Sequence, residues 1–254
     1  MSYMRAVVLG CFAVAAGCAT AGKDNGNNSG IDASTNGQHD APNQPNIDGA
    51  VTQHDAPAQT DAPPAPTTIT LTQTADNTVT IGKSVACGNN NPAPPTLPYT
   101  GENSWYRVFS PAQSGITTPF HVTHVDFGVQ QADGGAQQVQ VKVGTYSGAL
   151  GTPTLSGTTT PLNSMVVSIP TTTTGEMVTA NITADIPASS NFVVELFSPD
   201  HSAVGIELYI GASAGTEQQP GYVRAPDCSI TTPEKLKTAA TAAGSLILTV
   251  TGTY

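Results

Sequence analysis

Gln138-Val139-Gln140-Val141-Lys142-Val143 alternates polar and apolar residues without a break, and the reading of this stretch decides the fold class. In a β-strand successive side chains point to opposite faces, so a strict period of two buries one face and leaves the other in water. Valine fits such a pleated, half-buried surface well. The same period returns where Ile206, Leu208 and Ile210 alternate with Glu207 and Tyr209. It returns again where Leu246, Leu248 and Val250 alternate with Ile247, Thr249 and Thr251. Further apolar runs centre on Ile69-Leu71, Val79-Ile81, Trp105-Phe109, Val122-Val129, Met165-Ile169, Met177-Ile182 and Phe192-Phe197. Turn signals part them: Asp133-Gly134-Gly135, Ser147-Gly148, Thr174-Gly175 and Ser198-Pro199-Asp200. About ten short strands without intervening helices predict an all-β domain over residues 67–254, a two-sheet antiparallel β-sandwich of jelly-roll-like build. One short helix is expected from Thr232-Pro233-Glu234 to Ala243, where a capping threonine precedes a first-turn proline.

Composition agrees with an exported β-rich chain. Of 254 residues only 10% are charged, 20 are proline and 6% are aromatic, with Trp105 the one tryptophan. The formal charge of −10 excludes nucleic acid as a partner, because phosphates need clustered Lys and Arg. It equally disfavours electrostatic docking on an anionic bilayer, so membrane attachment has to be covalent or through a partner. Residues 1–17 have the build of an export signal: Arg5 gives a positive start, and Ala6 to Gly17 form an apolar or small-residue run. That run is well short of the roughly 18 residues of a transmembrane helix.

Ala15-Ala16-Gly17-Cys18 resembles the bacterial lipoprotein signal, in which small residues precede a cysteine that is lipidated and then exposed as the new N-terminus. The resemblance implies lipid on Cys18, with the membrane as partner through that lipid. Ala19 in the following position implies the outer membrane or cell surface, with a periplasmic-facing location as the variant. Several acyl chains, as the lipoprotein class carries, anchor firmly where one anchors marginally. The competing reading is ordinary cleavage after Ala15 or near Ala19 to Ala21, which leaves the cysteine unexplained. Residues 18–66 then form a tether of Asn, Gly, Asp, Ala, Gln and Pro without an aromatic residue. Such a segment buries too little apolar surface to offset the ordering of its backbone, so disorder is expected. Gln38-His39-Asp40-Ala41-Pro42 recurs as Gln53-His54-Asp55-Ala56-Pro57. The two His-Asp pairs read either as a metal-binding tract or as a solvated spacer; two isolated histidines define no geometry, which favours the spacer. Roughly 48 flexible residues span about 40 Å root-mean-square, or about 150 Å as extended polyproline II.

Export implies an oxidising compartment, where Cys87 and Cys228, the domain's only cysteines, are expected to pair, two free thiols being the alternative. From Cys87 onward a second resemblance emerges, carried by Ser104-Trp105-Tyr106-Arg107-Val108-Phe109, Val125-Asp126-Phe127-Gly128 and Val141-Lys142-Val143-Gly144-Thr145-Tyr146. Phe192-Val193-Val194-Glu195, Gly211-Ala212-Ser213-Ala214-Gly215, Tyr222 to Cys228 and Leu246 to Val250 extend it. Together they resemble a β-sandwich module of exported bacterial proteins, over roughly residues 85–254. That module has no settled activity, so the likeness implies fold rather than chemistry.

Few residues suggest chemistry of their own. Gly211-Ala212-Ser213-Ala214-Gly215 matches the G-x-S-x-G nucleophile elbow, yet no histidine follows position 213 and the surroundings are β-patterned. His121 and His124 are expected on opposite faces of a strand, whereas His124 and Asp126 share one and offer two metal ligands without a third nearby. Asp133, Asp200 and Asp227 fall in loops, as calcium ligands do, but no fixed spacing selects them. Trp105 with Phe109 and Tyr106 with Val108 belong to opposite faces of one strand, one of them core. Tyr146 and Tyr209 are expected to point outward and are the candidate ligand-face aromatics. No cofactor is expected. The functional expectation is a non-catalytic, lipid-anchored binding or adhesion module for a glycan or an envelope protein. A metal-assisted hydrolase or minimal glycosidase, and a purely structural envelope component, are the alternatives.

Overall fold

Alternating residues become strands only where a neighbour pairs with them, and the pairing in the computed structural model follows the apolar periodicity closely. The structure describes residues 65–89, 92–93 and 96–254. The signal, Cys18, nearly all of the tether and the Asn90-Asn91 segment lie outside the described residues. In chain order the strands are β1 (Thr68–Leu71), β2 (Gly88–Asn89), β3 (Tyr99–Thr100), β4 (Asn103–Phe109), β5 (Phe120–Asp133), β6 (Gln137–Tyr146), β7 (Thr159–Ile169) and β8 (Thr174–Ala180). They continue as β9 (Ala184–Ile186), β10 (Asn191–Ser198), β11 (Glu207–Ile210), β12 (Ala212–Ser213), β13 (Tyr222–Ala225), β14 (Ile230–Lys235), β15 (Ser245–Leu246) and β16 (Leu248–Thr253). One helical turn, α1 (Leu236–Ala239), stands between β14 and β15.

Two six-stranded sheets carry the domain, and every strand pair in them is antiparallel. The first is built around the long β5, which pairs with β16 and then β11 along one side and with β9 and then β8 along the other; β1 closes it beyond β16. The second runs β14-β13-β4-β10-β6-β7. Val125, Phe127 and Val129 of the first sheet and Trp105, Phe109, Val141, Val143, Phe192 and Val194 of the second belong to one buried cluster. Phe192 stacks on Phe109 at 5.2 Å between ring centroids. The all-β expectation therefore holds, and Trp105 and Phe109 take the core side while Tyr106 and Val108 take the other.

Cys87 and Cys228 form the expected disulfide, closing a separation of 141 residues. Fully buried Asn103 braces it: its Oδ1 accepts from the Cys87 N–H at 2.8 Å, and its Nδ2 donates to the Cys87 and Gly101 carbonyls. Arg107 is buried as well. Its guanidinium donates to the Leu246 carbonyl from Nε (2.8 Å) and Nη2 (2.6 Å), and to the Gln219 carbonyl from Nη1 (2.6 Å). Glu217 lies 3.6 Å away. Burial lowers the Arg107 pKa to about 10, against the opposing pull of Glu217, so it remains a cation at neutral pH.

Four local expectations are corrected. Residues 230–235 are a strand, and helix is confined to Leu236–Ala239. The reason is that β14 lies at the end of the sheet, where a proline without an N–H is tolerated. Val79-Ile81 is not a strand; Thr80 makes one backbone bond to the Ala212 carbonyl, and Ile81 is exposed. Val79 lies instead over two facing glycines, Gly128 and Gly211, whose backbones bond at 2.6 Å. A Cβ on either would strike the other's backbone within 3.2 Å. The half-buried reading of the Leu246–Val250 stretch is corrected as well, since Ile247 and Thr249 are buried along with Leu246, Leu248 and Val250. Finally, a bulge in β5 sets two residues, Thr123 and His124, against one step of β16. Val122 and Val125 both enter the core as a result, and His121 and His124 leave it on the same side rather than opposite ones.

Candidate functional site: the outer face of the second sheet

Strands β4, β10 and β6 each send alternate residues away from the core, and the register aligns them. Tyr222, Tyr106, Glu195 and Lys142 stand in one row across β13, β4, β10 and β6. Glu195 Oε1 accepts from the Tyr106 hydroxyl at 3.2 Å and lies 3.3 Å from Lys142 Nζ. The Lys142 ammonium also sits 4.6 Å from the centroid of the Phe197 ring. Burial, and then the Glu195 charge, push the Tyr106 phenol well above its ordinary pKa, so it stays a hydrogen-bond donor. Arg224, beside this row on β13, pairs with Glu102 at 2.6 Å.

A strap of chain crosses this face. Residues 147–158 leave β6 and reach the opposite margin of the sheet, where Lys235 N–H donates to the Pro153 carbonyl (3.1 Å) and Leu155 N–H donates to the Pro233 carbonyl (3.0 Å). Midway, the Tyr222 hydroxyl donates to the Thr152 carbonyl at 2.9 Å. Leu150 and Leu155 of the strap pack on Tyr106, Val108, Tyr146 and Val193, a second apolar cluster separate from the main core. Where the strap's two legs meet, only glycine fits: a Cβ on Gly148 would stand 2.1 Å from the Tyr146 hydroxyl, and one on Gly157 would stand 2.3 Å from the Gly148 nitrogen.

Sheet, strap and β14 border a partly open cavity of about 400 Å³. Its floor is Tyr106, Val193, Glu195 and Lys142; its walls include Leu155, Pro161 and Pro233, with Arg224 at the side. The volume falls within the range of small-molecule sites, about 300–1,000 Å³. Apolar surface with a few converging polar groups is the make-up such sites share. On the far side of the strap a second hollow is lined by Thr145, Tyr146, Thr158, Thr160, Ser190 and Asn191, all neutral and polar.

The candidate residues read from sequence are scattered by comparison. Tyr146 does leave the core, but the strap covers it to 4% exposure and its hydroxyl has no hydrogen-bond partner. Tyr209 is half-buried on β11 of the other sheet and donates to Glu207 at 3.2 Å, so the two tyrosines share no face. Ser213 is buried in β12, paired with β15, rather than raised on a strand-to-helix turn. His124 and Asp126 do approach, at 3.5 Å, while His121 turns to Asp185 at 2.6 Å. Asp133 and Asp200 accept from the N–H groups of Gly134 and Ser202, as short loop caps do. Asp227 faces the Glu102 N–H at 3.4 Å. Among the described residues no three His, Cys, Asp or Glu side chains converge as metal ligands, and no helix is long and apolar enough to cross a membrane. What sequence reasoning missed is the row on the second sheet: Lys142 and Glu195 lie in stretches already read as strands, but their pairing depends on register across three strands. Comparison with protein-family models, with curated proteins and with solved structures finds no match for this chain.

Proposed function

We propose that this chain is a lipid-anchored protein of the cell envelope that displays a non-catalytic β-sandwich, jelly-roll-like in build, as a binding module. In this reading Cys18 carries the lipid, residues 18–66 hold the module away from the outer membrane or cell surface, and the strapped cavity on the second sheet receives the ligand. The observation that supports binding most directly is that cavity. A sheet face serving only as structure has no need of a 12-residue crossing segment fixed at its far margin beside a partly open cavity of about 400 Å³. The test has two arms on the full chain. Cys18→Ser releases the protein from membrane fractions; a variant that still sediments with membranes after a high-salt wash refutes the anchor. A binding screen against glycans and envelope proteins returns a ligand whose contact perturbs Tyr106, Lys142 or Leu155. Silence across the screen leaves the purely structural component, and turnover of a glycoside leaves the hydrolase.

A further inference from the structure

We infer that the strapped cavity takes a neutral saccharide unit of one or two rings; the inference rests on the binding reading above and narrows it to a ligand class. Its floor holds both charge signs already matched, Lys142 against Glu195 at 3.3 Å, with Arg224 engaged by Glu102 at its side. An anionic ligand placed there meets the Glu195 carboxylate, and a cationic one meets Lys142 and Arg224. Either sets a like charge against one member of the Lys142–Glu195 pair and competes with the pairing already made. A carboxylate only accepts hydrogen bonds and an ammonium only donates them, whereas a hydroxyl does both. A ligand carrying adjacent hydroxyls therefore donates to Glu195 and accepts from Lys142 at once, leaving neither orphaned. Between these groups Val193, Leu155, Pro161 and Pro233 present apolar surface suited to the C–H faces of a pyranose. Size decides against a protein partner. Stable protein–protein contacts cover about 800 Å² on each side, and the cavity is hemmed in by strap and β14.

The assay is titration of the full chain, read by calorimetry and by NMR shifts of the cavity residues, with four probes of similar size. Cellobiose and diacetylchitobiose are neutral, digalacturonate is anionic and the chitosan disaccharide is cationic. A neutral probe binds about tenfold or more tightly than both charged ones, and Lys142→Met and Glu195→Gln each weaken it by about tenfold or more. Thr232→Trp, at an exposed position on the rim, fills the entrance and abolishes binding while the thermal midpoint is kept, which covers the case in which a floor substitution disturbs folding. A charged probe that binds best, and is lost with Lys142→Met or Glu195→Gln, overturns the ligand class and leaves the binding reading standing. Neutral binding indifferent to all three substitutions overturns the site. No response to any probe, together with a silent glycan and envelope-protein screen, overturns both.

Discussion

Opening the Cys87–Cys228 bridge gives the domain's stability its most calculable test. The bridge closes a separation of 141 residues. On the chain-entropy model, with the loss of entropy growing as −2.1 − 1.5R ln n, that closure is worth about 17 cal/mol/K, or about 5 kcal/mol at 25 °C. The native contacts around it survive its loss, because Asn103 binds the Cys87 backbone rather than its sulfur. Cys87→Ala and Cys228→Ala are therefore expected to cost similar amounts, the first slightly more because Cys87 is buried in the core. Urea unfolding of the full chain, oxidised and as each alanine variant, measures this through Trp105. That indole is fully buried and donates to the Val85 carbonyl at 2.8 Å, two residues from the bridge, so its emission reports the right region. The urea slope m should also rise in the variants, since the opened chain exposes more surface when unfolded. A loss below about 1 kcal/mol with m unchanged refutes the reasoning, because the bridge would then not be acting on the unfolded ensemble.

Two further outcomes follow from buried ionisable groups. Arg107→Met orphans the Leu246 and Gln219 carbonyls, while Glu217 keeps Lys237 at 3.2 Å, so a loss of about 2–5 kcal/mol is expected in thermal unfolding; a loss under about 1 kcal/mol contradicts that accounting. Burial lowers the His201 pKa below its ordinary 6.5, with Asp200 opposing, and its Nδ1 has no hydrogen-bond partner. The folded state thus binds fewer protons than the unfolded chain, so stability is present above 6.5 and is lost as pH falls below it. His201→Gln should flatten the thermal midpoint between neutral pH and the onset of carboxylate titration, and an unchanged slope refutes the assignment.

Which parts of this molecule can be read from one sequence depends on how far apart the deciding residues lie. Val139, Val141 and Val143 announce their side of β6 because the period is local, and so do Leu208 and Ile210 on β11. The β5 bulge at Thr123 has no composition signal; it comes from matching β16, more than 120 residues later, and it reverses the phase of the two histidines. Pro233 looked like a helix start because the same residue suits a first helical turn and an outlying strand, and only the pairing with β13 separates the two. The period places Tyr146 on the outer side of β6, but it is buried there because the strap that covers it is loop by pattern and lands on Pro233 and Lys235, some 80 residues away. The cavity was hidden for the same reason: Tyr106, Glu195 and Lys142 become neighbours only when three strands take their register.

The crossing of the second sheet by residues 147–158 sets an order of assembly. Its far end bonds to Pro233 and Lys235, residues made late in synthesis. Closing so long a loop has an entropic cost that is recovered only once β14 has docked on β13. The floor of the cavity can form when β4, β6 and β10 pair, and Leu150 and Leu155 can settle on it, yet the strap has no backbone bond at its far margin until the last quarter of the chain is in place. A molecule arrested before β14 docks would therefore carry the floor of the cavity without its fixed strap.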